Sequence, residues 1–68
     1  MNESIKKLNS YINRYQRGCR MEKVTSRTYT IVANRSSQAE IAKKAIMLGL
    51  KVKFVNAYDV FRSMQVYY

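Results

Sequence analysis

The sequence predicts a small α/β chain: an α+β-like two-layer sandwich in the order α-β-α-β, with room for a short C-terminal helical turn and a third strand. Three observations predict it. Residues 5–15 carry apolar side chains at helical spacing. Residues 27–34 are β-branched and aromatic. Residues 36–55, SSQAEIAKKAIMLGLKVKFV, pass from a helical pattern through a glycine into strict alternation.

In NESIKKLNSYINRYQRG, Ile5, Leu8, Ile12 and Tyr15 fall at i, i+3, i+7 and i+10, with Tyr11 beside them. That is one apolar stripe at the helical period. Asn2 or Ser4 is suited to cap its start, and Gly18 to follow its end. Lys6, Lys7, Arg14 and Arg17 fall on the opposite side. Residues 18–26 read as a connection. RTYTIVAN then reads as a strand, with Tyr29, Ile31 and Ala33 on one face and Thr28, Thr30 and Val32 on the other.

Ser37 followed by Glu40 has the spacing of a capping box. Ile41, Ala42, Ala45, Ile46 and Leu48 form the stripe expected to be buried, and Glu40, Lys43, Lys44 and Met47 point away. Gly49 suits a left-handed helix end. Leu50, Val52 and Phe54 alternate with Lys51, Lys53 and Val55, a strand with one buried face. Beyond it, residues 57–62 suit a helical turn and MQVYY a third strand. The chain has no proline and no internal sequence repeat.

QAEIAKKA resembles the opening helix of a helix-turn-helix. That motif needs a tight turn and a second helix for the major groove. Here the glycine comes late, and LKVKFV is a poor recognition helix and a good strand. The reading preferred is strand, helix, strand, with a crossover joining two parallel strands. The first helix then packs on the same sheet face as the second.

With 68 residues, the chain is expected to form a single domain, 1–68. A chain of this size buries only about 60% of its unfolded surface. One cysteine excludes an internal disulfide, and one cysteine with no histidine excludes a structural zinc site. A partner or a second copy is the expected supplement. Thirteen Lys and Arg against four Asp and Glu give +9. Residues 1–34 carry seven basic and two acidic side chains (+5), and residues 35–68 carry six and two (+4). Such a field attracts nucleic acid, an anionic membrane or an acidic protein. No apolar run approaches the ~18 residues of a membrane span, and the N-terminus has no apolar signal core, so a cytoplasmic protein is expected. The helix lacks spare apolar anchors, so no membrane partner is expected.

Under this fold one sheet face is open. It carries Thr28, Thr30 and Val32, with Lys51, Lys53 and Val55, and Gln65 and Tyr67 join them. Lysines, hydroxyls and a ring suit a phosphate backbone with a stacking platform. The same face also suits a solvated surface guarded by lysines, or a homodimer centred on Val32 and Val55. The outer side of the first helix, Lys6, Lys7, Arg14 and Arg17, then Arg20, is a second basic surface for phosphates. Of the six tyrosines, Tyr11, Tyr15 and Tyr29 fall on core faces, and Tyr58, Tyr67 and Tyr68 are less constrained. Cys19, between arginines, reads as a free surface thiol.

No enzyme is expected. There is no histidine, the four carboxylates are scattered, and two glycines cannot form a phosphate-cradling loop. No cofactor and no metal are implied. The leading expectation is a basic, non-catalytic protein binding DNA or RNA through Lys6, Lys7, Arg14, Arg17, Arg20, Lys51, Lys53 and Tyr67, with little base readout. The alternative is a small inhibitor or adaptor, of phage type, docking on an acidic protein surface.

Overall fold

The computed structural model describes residues 2–68. The chain forms α1 (Glu3–Tyr15), β1 (Arg20–Lys23), β2 (Thr28–Val32), α2 (Arg35–Met47), β3 (Lys51–Phe54), a 3-10 turn (Val60–Arg62) and β4 (Met64–Tyr67). The mixed α/β class matches the sequence expectation. The order does not: it is α-β-β-α-β-β, because RMEK, read as connection, is the strand β1.

Asn2 caps α1, its Oδ1 accepting from the N–H groups of Ser4 and Ile5 at 2.8 and 3.3 Å. Ile5, Leu8 and Ile12 are fully buried, whereas Tyr15, expected in the stripe, is 65% exposed. The stripe drifts around the cylinder, and Tyr15 lies beyond the sheet's cover. α2 begins three residues earlier than the Ser37–Glu40 pattern implies. Its cap is Asn34, whose Oδ1 accepts from the Ser37 N–H at 2.8 Å. Ser37 is thus the third helical residue rather than the cap, and Glu40 lies 4.0 Å from Lys43 instead. At the other end Gly49 has φ +82°. Its N–H donates to the Ile46 carbonyl at 3.0 Å, and the Leu50 N–H to the Ala45 carbonyl at 2.9 Å. These two bonds satisfy carbonyls left over by the last turn.

The sheet has the order β1-β2-β4-β3, and every neighbouring pair is antiparallel. β2 and β3 do run parallel, as the crossover requires, but β4 lies between them. The chain therefore passes twice through helix, strand, strand, and the two halves meet at β2 and β4. The architecture repeats although the sequence does not. The segment Lys51–Phe54 is a strand, which removes the helix-turn-helix reading.

Both helices cover one face. Ile5, Leu8, Ile12, Ile41 and Ala45 pack on Tyr29, Ile31, Met64 and Val66, with Leu50 and Ala33 at the margin. Ile46, expected in the core, is 64% exposed, and so is Phe54 at 65%. Both lie toward the outer edge of β3, which is an end strand of the four-stranded sheet. Among the described residues two polar ones are buried, Thr30 at 8% and Gln38 at 4% exposure; Gln38 lies among the helix and turn contacts. Its Nε2 donates to the carbonyls of Ala33 and Val60, each at 2.9 Å. It ties the start of α2 to the end of β2 and to the 3-10 turn. Cys19, expected at the surface, is half-buried and packs against the core.

Candidate nucleic-acid interface

The side-chain period of a strand is two, so pairing register decides which residues share a face. Thr28 is opposite Tyr67, and Tyr67 is opposite Lys51. Thr30 is opposite both Gln65 and Glu22, and Gln65 is opposite Lys53. Two rows thus cross the face turned away from the helices: Thr28, Tyr67, Lys51, then Glu22, Thr30, Gln65, Lys53. Arg20 begins a third row with Val32. Tyr29, Ile31, Met64 and Val66 occupy the alternate positions, and their burial under the helices assigns the polar rows to the open side.

Tyr67 stands at the end of this face beside two lysines of β3, its strand partner Lys51 and, on the diagonal, Lys53. Lys53 Nζ is 5.6 Å and Lys51 Nζ 6.0 Å from the ring centroid. The ring is half-buried and both lysines are exposed. Among the described residues neither lysine has a carboxylate within ion-pair distance. The ammonium groups keep their full field for an incoming anion.

The opposite edge of the face is electrically different. Glu22 on β1 pairs with Arg20 at 3.2 Å and with Arg62 at 3.1 Å, and Arg62 also holds Asp59. Arg62's hydrogen bond is the largest influence on Glu22 and holds its carboxyl below the usual glutamate range; burial opposes this, and Arg20 adds to it. The same two carboxylates raise the Arg62 guanidinium above its ordinary value. Arg20, read from sequence as an extension of the basic helix, therefore belongs to the sheet and is partly neutralised there. Positive potential on the open face is concentrated at β3.

Lys6, Lys7 and Arg14 lie exposed on the outer side of α1, on the far side of the helix layer from Tyr67. Arg17 is exposed in the turn after α1. The structure thus separates the expected residues into two surfaces. Lys51, Lys53 and Tyr67 meet on the sheet, with Arg20 at its far edge. Lys6, Lys7 and Arg14 form a second basic surface. Lys44 of α2, expected to point away from the core, is half-buried and joins that layer, its Nζ 5.7 Å from the Tyr11 ring centroid. Tyr11 in turn meets Tyr15 with centroids 5.4 Å apart. The expected free rings divide similarly. Tyr68 is engaged by Arg27 at 5.3 Å and donates its hydroxyl to the Ser26 carbonyl, while Tyr58 is fully exposed.

Among the described residues no three metal-ligating side chains gather in one place, and no helix is long and apolar enough to cross a membrane. No family model matches the chain, no curated protein sequence matches it, and no solved structure matches its fold.

Proposed function

We propose that the chain is a small basic protein that binds single-stranded nucleic acid on the open face of its sheet and performs no chemistry on it. The observation that carries this reading is the Tyr67 ring with Lys51 and Lys53 of the neighbouring strand beside it. An aromatic ring accepts any base by stacking, and the neighbouring ammonium groups of β3 hold adjacent phosphates. Thr28 and Gln65, both half-buried, supply neutral hydrogen-bonding groups in the same rows. A carboxylate within the ring's own lysine pair would repel phosphate, and the acids of this face are instead held at the β1 edge by arginines. The outer side of α1 adds long-range attraction and no stacking platform.

Binding of random-sequence single-stranded DNA and RNA across a salt series tests this reading. Affinity should fall steeply between about 50 and 200 mM salt, as phosphate contacts require. Absence of binding at 50 mM salt removes the reading.

A further inference from the structure

β3 is an outer strand of the sheet, and its free edge is unlike the other one. The Val55 N–H donates to the Ser63 carbonyl at 2.7 Å. In an antiparallel ladder the bonded residues alternate. Residues 51, 53 and 55 therefore turn their backbone groups to β4, and Val52 and Phe54 turn theirs outward. Such an edge is a template for another strand.

The side chains along this edge specify what that strand must carry. On the open face stand Lys51 and Lys53, unpaired with any carboxylate among the described residues. On the helix side stand Val52, half-buried, and Phe54, 65% exposed. Above them runs the flank of α2 with Ala39, Ala42 and Ile46 at i, i+3 and i+7; Ile46 is 64% exposed. Arg35, Ala39, Phe54 and Val55 line a depression of about 380 Å³ at the far end of this ledge. Lysines alone would read as protection of an edge against pairing. An exposed phenylalanine and isoleucine on the same edge do the opposite. By contrast, β1 closes its edge with the Arg20–Glu22 pair.

We infer that the β3 edge receives an extended segment of a partner protein in which acidic and apolar residues alternate. Its backbone bonds to Val52 and Phe54. Its carboxylates lie beside Lys51 and Lys53, and its apolar side chains beside Val52, Phe54 and Ile46. A second copy of β3 does not fit this pattern, because its lysines would meet these lysines. The inference does not rest on nucleic-acid binding by the open face.

The test uses the whole chain with an acetylated peptide of alternating glutamate and valine as the probe. Amide hydrogen exchange and chemical-shift mapping follow the titration. The expected result is protection of the Val52 and Phe54 amides, with shifts along β3 and α2. Methylating the peptide nitrogens on one edge only should abolish binding. Lys51→Glu with Lys53→Glu should weaken it about tenfold and confer binding of a lysine–valine peptide, since cross-strand charge pairs change sign. Both lysines are exposed, so that variant keeps the core intact. Three results overturn the inference. One is exchange at Val52 and Phe54 unchanged at millimolar peptide. Another is protection that appears with protein concentration alone, which assigns the edge to a second copy. The third is a dT oligonucleotide, rather than the peptide, protecting these amides.

Discussion

Glu22 Oε1 accepts a hydrogen bond from Arg62 Nε at 3.1 Å, joining β1 to the 3-10 turn across 40 residues of chain. Arg62 also binds Asp59. The guanidinium thereby pins the loop that precedes β4 against the open face of β1.

This pair makes stability depend on pH in a definite direction. Glu22 has a depressed pKa in the folded protein. Such a group stabilises the fold above its unfolded value, about 4.3, and that contribution is lost as pH falls through the lower folded value. Thermal stability should drop as pH falls from about 5 to 3. In Glu22→Gln the drop is shallower, and added salt shrinks the difference because the pair is exposed. Superimposable melting curves of the two proteins across this range count against the linkage.

Tyr67→Ala should weaken binding of single-stranded nucleic acid by about 1–3 kcal/mol, roughly five- to 150-fold, through lost stacking. Tyr67→Phe should retain affinity, because the ring and not the hydroxyl contacts the base. Fluorescence anisotropy at fixed salt measures both. Equal losses in the two variants would transfer the role to the hydroxyl.

Lys51→Ala with Lys53→Ala should reduce the slope of log affinity against log salt by about 1.4, two single-strand phosphate contacts. Lys7→Ala with Arg14→Ala, on the other side of the molecule, should change it less. An equal change would place the helix layer in the interface.

Gln38→Leu should destabilise the fold by about 1–3 kcal/mol. The leucine fits the volume but leaves the Ala33 carbonyl without its side-chain donor, while the Val60 carbonyl keeps the Ser63 hydroxyl at 2.8 Å. A urea titration reads the loss as a lower midpoint. A midpoint equal to the parent's would mean that water reaches the Ala33 carbonyl.

Gly49→Ala should cost about 1–2 kcal/mol by the same measurement. A Cβ there meets nothing within 4 Å, so the cost lies in the φ of +82° and not in a clash. Gly18, at φ +83° and equally unobstructed, should behave alike.

The two helices, β2 and β3 were legible because periodicity is a local property of the chain. Tyr29, Ile31 and Val52 could be given their face from alternation alone. β1 was not legible: in RMEK only Met21 reaches the core, and the two charged residues of its open face look like loop. The place of β4 between β2 and β3 was not legible either, since no residue of MQVYY encodes its neighbours. That placement matters for the site. It brings Tyr67 between Lys51 and Thr28, a juxtaposition that alternation alone leaves unspecified. Arg20 was misplaced for the same reason as β1, since its strand went unseen. Ile46 and Phe54 were read as buried because their period is right; the edge position of β3 leaves them uncovered.

The central position of β4 has a consequence for how the chain acquires its shape during synthesis. A ribosome has delivered both helices and three strands before residue 64 appears, yet those strands form two separate pieces, β1 with β2 and β3 alone. These two pieces have no strand-to-strand contact until β4, with Met64 and Val66, fills the gap. The growing chain therefore carries an open seam in its middle, and β4 acts as a zip rather than a trim. Chains stalled on the ribosome just before Met64 emerges should be cut rapidly by protease, and those in which Tyr67 has cleared the tunnel should resist.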